Sequence, residues 1–268
     1  MRAPWDAVAS ILQTPALPVA GYVRYELPRR DLTVRMGGVP LAVPLAATAW
    51  VGFTGTARRA MVEGDLIATR EELRGVEAEL LRQRFEVTGV ADPLVGEQPR
   101  LIHVYFRGDG DALALAHRLD SVVARTRTPR PVTRAIVPPV TIDTAVTAGA
   151  LGPGGVARGN VVLYRFQLVT HRVRWHGTTV PPALAAGTTL EIQAVNPTRA
   201  VATGAIALLA PRVEALLEAL AAHGIEVGGV RRGSRSPPIW VVSLWADGRL
   251  PDVAAGLRAA LDAARGRR

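Results

Sequence analysis

The chain has 268 residues, 49% of them hydrophobic and 21% charged, with a formal net charge of +9 and no cysteine. That balance excludes intrinsic disorder, and the length fits one large domain or two ordinary ones. Without cysteine there are no disulfides, thiolate metal sites or cysteine nucleophiles, and without lysine there is neither Schiff-base chemistry nor a lysine-dependent phosphate loop.

Trp5, Val8, Ile11 and Leu12 recur at helical spacing and predict a short helix ending before Pro15. Alternation of apolar and charged residues predicts strands over 22–27 and 32–36. Gly37-Gly38 turns the chain, and strands are expected over 48–54 and 60–68. Thr69-Arg70-Glu71-Glu72 spells a capping box for a helix whose buried stripe is Leu73, Val76, Leu80 and Leu81. Strands follow at 85–90 and 101–107, and Asp111 caps a helix carrying Leu115, Leu119, Val122 and Val123.

The stretch from Thr126 to Pro139 holds four prolines and no amphipathic period, and reads as a linker. Gly152 to Gly159 is glycine-rich but lacks the lysine and the strand-loop-helix setting of a phosphate loop, so it reads as a connector. After the linker the same order of elements returns. Ile142-Asp143 echoes Trp5-Asp6, strands are expected over 161–169, 172–176, 188–194 and 199–208, and Pro211 opens a helix ended by Gly224. Strands over 225–230 and 239–245 and a helix with Val253, Leu257 and Leu261 close the chain. The spacing from Gly64 to Gly89 repeats from Gly204 to Gly229.

The fold class is therefore α+β, a tandem duplication of a β-rich unit ending strand-helix-strand-strand-helix. The first repeat is expected over 1–127, the proline-rich linker over 128–140 and the second repeat over 141–268. Helices on one face of each antiparallel sheet leave the other face in need of cover. A pseudo-two-fold pair with helices outside and a cleft between the repeats is the simplest expectation.

The copies differ in chemistry. Alternate residues of a strand share a face. Val62, Leu66, Ile102, Val104 and Phe106 suit the helix side, which sends Glu63, Asp65, His103, Tyr105 and Arg107 to the other. Glu63 and Asp65 are the candidate catalytic carboxylates, about 7 Å apart along one strand, with His103 and Tyr105 as further acid-base groups. Arg107, Trp50, Trp245 and Arg100 are the candidate substrate-binding residues. The second copy places Thr203, Ala205, Val241, Ser243 and Trp245 at the matching positions, giving an expected apolar wall opposite an ionisable one. The competing reading is a solvated face on which Glu63 and Arg107 form a cross-strand ion pair. Trp240 and Trp245 suit packing better than a stacking platform. His117 and His223 fall on helices, and His171 and His176 on a strand, without metal-ligand spacing.

Taken in order, Trp5-Asp-Ala-Val, Pro28-Arg-Arg-Asp-Leu32, Met61-Val-Glu-Gly-Asp-Leu66, Glu97-Gln-Pro-Arg100, Val180-Pro-Pro-Ala183, Gly224-Ile-Glu-Val227 and Gly256-Leu-Arg-Ala-Ala-Leu-Asp262 resemble the LppY/LpqO family of uncharacterised bacterial proteins. The resemblance implies a histidine cluster able to bind metal. This chain departs there, with Ala91-Asp92-Pro93 and Arg231-Arg232-Gly233 in place of the His-Asn-His segment, and Tyr105 and Ser243 at the later histidine positions. No metal and no cofactor are expected.

The expected function is that of a small-molecule-binding protein of specialised metabolism, or a cofactor-free acid-base enzyme of isomerase, cyclase or lyase type. The alternative is a non-catalytic protein binding an anionic polymer or protein partner through its arginines. A third reading is a degenerate copy without a site. The arginines are scattered rather than interleaved with aromatics, which argues against nucleic acid. No window approaches a membrane span, and Pro4, Asp6, Pro15 and Pro18 interrupt the first residues, so a cytoplasmic protein is expected.

Overall fold

The computed structural model describes residues 3–133, 139–234 and 237–266, and of Ala3 only the backbone. Residues 134–138 of the expected linker lie outside the described residues. The chain divides into two compact units, Met1–Asp92 with Gly96–Ala135, and Pro93–Val95 with Ile136–Arg268.

The first unit runs α1 (Ala3–Leu12), β1 (Leu17–Val19), β2 (Tyr22–Pro28), β3 (Arg35–Met36), β4 (Val39–Pro40), α2 (Val43–Ala46), β5 (Thr48–Gly55), β6 (Ala60–Ala68), α3 (Arg70–Arg82), β7 (Glu86–Ala91), β8 (Ile102–Gly110) and α4 (Ala112–Val123). The second repeats it as α5 (Thr144–Leu151), β9 (Val156–Arg158), β10 (Val161–Gln167), β11 (Val173–Trp175), β12 (Thr178–Val180), α6 (Pro182–Ala185), β13 (Gly187–Ala194), β14 (Arg199–Leu209), a 3-10 turn at Ala210–Arg212, α7 (Val213–Ala222), β15 (Glu226–Ser234), β16 (Ile239–Arg249) and α8 (Leu250–Arg265).

Each unit has one six-stranded antiparallel sheet, ordered β1-β2-β5-β6-β8-β7 in the first and β9-β10-β13-β14-β16-β15 in the second. This is the expected α+β duplication, with β1, β4, α2, β9, β12 and α6 added to the expected elements. The repeat extends to detail. The last hairpin of each sheet carries a bulge at the same place, between Val87 and Gly89 and between Val227 and Gly229. In β2 and β10 a buried tyrosine points to the unit's first helix: Tyr25 Oη donates to the Trp5 carbonyl at 2.9 Å, and Tyr164 Oη meets Thr147 Oγ1 at 3.2 Å.

Three of the helices, α3, α4 and α5, begin on side-chain caps. Thr69 and Glu72 make the capping box of α3, and Asp111 and Asp143 accept amide protons at the starts of α4 and α5. In the first unit α3 and α4 pack on β6 and β8, burying Val62, Leu66, Val76, Leu80, Val104, Phe106, Leu115 and Leu119. Leu81, expected in that stripe, is instead exposed, and Glu79 is buried in the helix it leaves. Glu79 is held by Arg82, Gln83 and Arg125, which push its carboxyl down to about 2 and tie α3 to the end of α4. The expected strand at 32–36 shortens to Arg35–Met36, because Arg29 and Asp31 turn the chain inward ahead of it.

Arg29 is fully buried, and all five of its N–H groups are satisfied. Nε and Nη2 donate to Asp31 at 3.0 and 2.8 Å, Nη1 and Nη2 to Glu72 at 2.8 and 3.0 Å, and Nη1 also to the Ile67 carbonyl at 2.6 Å. Glu72 in turn accepts from the amides of Thr69 and Arg127. One guanidinium thus joins the end of β2, the end of β6, the first turn of α3 and the chain leaving α4. The strand registers place Leu168 at the matching position of the second unit. There the helix start has no side-chain cap. Removing one partner of such a node strands the others without solvent. Arg29→Ala is expected to lower unfolding free energy by about 3–5 kcal/mol in a denaturant titration.

Candidate functional site

In the first sheet, the pairing of β6 with β8 sets Glu63 opposite Arg107, Asp65 opposite Tyr105 and Ile67 opposite His103. Gly64 fixes this alternation. A Cβ there would come within 2.8 Å of the Phe106 ring and a Val51 methyl. With Gly64 and Phe106 turned toward the helices, Glu63, Asp65, His103, Tyr105 and Arg107 share the other face, as expected.

On that face the groups pair. His103 Nδ1 lies 3.0 and 2.9 Å from the two oxygens of Asp65, a diagonal cross-strand contact. A carboxylate only accepts, so Nδ1 carries the proton and Nε2 of the neutral ring keeps its lone pair. No hydrogen bond engages Nε2 among the described residues. Both side chains are largely covered, at 14% and 13% exposed. The Tyr105 ring centroid is 6.2 Å from that of His103. Arg107 Nη2 donates to Glu63 Oε1 at 3.2 Å, the cross-strand ion pair foreseen as the competing reading.

The row continues across the sheet to Trp50, a candidate of the sequence, and beyond it to Glu26 and Arg24, which the sequence reading left out. Trp50 is opposite Asp65, and Glu26 opposite Trp50. Arg24 donates to Glu26 at 3.2 Å and lies over the Trp50 ring at 4.4 Å, so one face of the indole is already taken. The charged alternation of β2 was the available signal. Glu86 closes the row opposite Arg107. Arg100 does not join it: this residue lies in the connection between β7 and β8, ion-paired with Asp92.

In the second sheet the registers put Thr203, Ala205, Val241, Ser243 and Trp245 at the positions of Glu63, Asp65, His103, Tyr105 and Arg107. Trp245 is buried there. The face is less apolar than expected. Glu191 lies opposite Thr203, whose hydroxyl donates to it at 3.3 Å, and Arg165 is opposite Thr189. Alternation along β10 and β13 turns Val162, Tyr164, Leu190 and Ile192 into the helix-side core and leaves these two charges outside it. The Asp-His pair has no counterpart in this copy. His171 and His176 flank β11 rather than lying within it, His176 at a positive φ in the turn. No group of three or more His, Cys, Asp or Glu residues able to hold a metal ion occurs among the described residues.

Residues 6–125 and 145–263 each match the family described as Domain of Unknown Function (DUF1259). The chain belongs to that family. The two matches fall on the two units and show the duplication independently of the coordinates. No curated protein matches. Among solved structures, a trimeric bacterial microcompartment shell protein, PduB, is 14% identical over 94% of this chain and 90% of its own, with a TM-score of 0.25. TP0453 is 9% identical over 81% and 82%, with a TM-score of 0.19. No helix among the described residues is long and apolar enough to cross a membrane.

The Asp65 bond sets the tautomer of His103. In long-range ¹⁵N–¹H spectra of the wild type, His103 is expected as the Nδ1–H form. Asp65→Asn can donate to the ring instead of accepting, and is expected to convert it to the Nε2–H form.

Proposed function

We propose that this family member binds a small, largely apolar molecule in the cytoplasm at the Asp65–His103 face, and there performs acid-base chemistry with its own side chains, as a histidine-poor relative of the LppY/LpqO proteins. The observation that carries the proposal is the oriented imidazole. Asp65 holds Nδ1, and Nε2 is left as an acceptor on a half-buried face that lost both groups in the sister copy.

The roles follow from the donors and acceptors. Nε2 takes a proton from the bound molecule, and the imidazolium that forms is stabilised by the Asp65 carboxylate. Returning that proton to a different atom completes an isomerisation or cyclisation with no net change in atoms or electrons. Tyr105 supplies a phenol beside the imidazole, and the uncovered side of Trp50 an apolar contact. Glu63 and Arg107 neutralise one another and keep the neighbouring field balanced. The alternative of an anionic partner would have to use other arginines than Arg24, Arg29, Arg82, Arg100, Arg107, Arg125, Arg130, Arg199 and Arg258, which are paired with carboxylates.

A thermal-shift screen against small metabolites tests the proposal. At least one compound is expected to raise the wild-type melting temperature in a concentration-dependent way and to leave His103→Phe unmoved. A screen without a hit, or a hit that shifts both proteins equally, overturns it.

A further inference from the structure

The bond that orients His103 also decides from which side a molecule reaches it. The two nitrogens of an imidazole sit on opposite sides of the bond joining the ring to Cβ. In the sheet, β8 lies between β6 and β7. Asp65 belongs to β6 and holds Nδ1 at 3.0 and 2.9 Å, so Nε2 is turned away from β6, toward β7. There the register puts Ala91 opposite His103 and Gly89 opposite Tyr105, and cross-strand partners share a face.

These two positions of β7 are nearly bare. A Cβ built on Gly89 would meet, among the described residues, only Tyr105 Cδ2 within 4 Å, at an ordinary contact distance of 3.5 Å. Packing therefore does not require glycine here, as it does at Gly64. Backbone conformation does not require it either, because Gly89 has no positive φ, and the type of bulge that needs glycine holds that residue in a left-handed conformation. Glycine inside a strand otherwise weakens it and marks a close approach by a ligand or another backbone. The sister copy keeps the glycine, as Gly229, but carries Arg231 at the place of Ala91, opposite Val241. The sheet without the Asp-His pair thus has a long side chain where the sheet with it has a methyl group.

We propose that β7 is the approach to His103: the bound molecule lies across Gly89 and Ala91, against the Tyr105 ring, and these two residues set the size of what is admitted. The inference rests on Nε2 as the base of the proposed site, and it narrows the substrate to a flat, uncharged molecule. A floor of one glycine and one methyl beside an aromatic ring fits a flat apolar body. The Asp65 carboxylate behind the imidazole disfavours an anion.

Diethyl pyrocarbonate, a small uncharged reagent that acylates the unprotonated nitrogen of a neutral imidazole, tests the approach without any natural ligand. Modification of each histidine is followed by mass spectrometry at about pH 7.5, where free imidazole is neutral. His117, His171, His176 and His223 are exposed and serve as internal references. His103 is expected to react in the wild type. Gly89→Val and Ala91→Val each fill the floor with a residue that strands favour. Each is expected to slow His103 by about tenfold or more and to change the references by less than about twofold. Either variant suffices where the other does not fold. Wild-type His103 left unmodified, or a wild-type rate retained in either folded variant, overturns the proposal. A thermal-shift screen without a hit would remove the proposed function alone, and the β7 approach would still stand or fall on these rates.

Discussion

The register between β6 and β8 is the constraint on which the rest of the first unit depends. A slip of one residue would send every side chain of one strand to the other face. Gly64 prevents it, because only a residue without a Cβ fits beneath the Phe106 ring and Val51. Gly204 is similarly confined in the second unit, but by β13, where a Cβ would lie 2.6 Å from a Leu190 methyl. From this one steric fit follow the burial of Val62, Leu66 and Val104 against helices, and the emergence of Glu63, Asp65, His103 and Arg107 on the opposite face. The core and the candidate site are two sides of the same alternation.

The copies show which features the architecture needs and which it does not. Both keep the strand order, the bulge, the glycine under the sheet and the tyrosine that ties the first helix. Only the first has the Arg29 node, and the second folds the same way around Leu168. A buried ion cluster and an apolar side chain are comparable in stability when each is complete, and the cost appears when one partner is removed. The same contrast applies to the opposite face, where Asp65 and His103 stand against Ala205 and Val241. Since the scaffold tolerates the apolar pair, the polar one is not demanded by the fold.

Much of this was legible in the chain because strand and helix periods are local. The capping box at Thr69, the cap at Asp111 and the alternation of 60–68 and 102–107 each report their own geometry. The face of Glu63, Asp65, His103, Tyr105 and Arg107 follows from that alternation alone, and so does the Glu63–Arg107 pair. What escaped depends on contacts far apart in sequence. Arg29 and Glu72 look like ordinary surface charges until the fold closes around them, and Glu97 gives no sign of its burial. Leu81 shows the converse: an apolar residue expected in the helix's buried stripe is exposed, while Glu79 of the same helix is buried among three partners. The Asp65–His103 bond was missed because register places Tyr105, not His103, directly opposite Asp65, and the contact is diagonal. Arg100 was drawn into the site by its charge, but its strand had not yet begun.

The central claim is that the Asp65–His103 pair was retained for chemistry and not for stability. Replacing both residues by those of the sister copy, Asp65→Ala with His103→Val, and measuring unfolding in denaturant addresses it most directly. The account expects a folded protein within about 1 kcal/mol of the wild type. A loss of several kcal/mol, or failure to fold, would show the pair to be a structural element and contradict the claim.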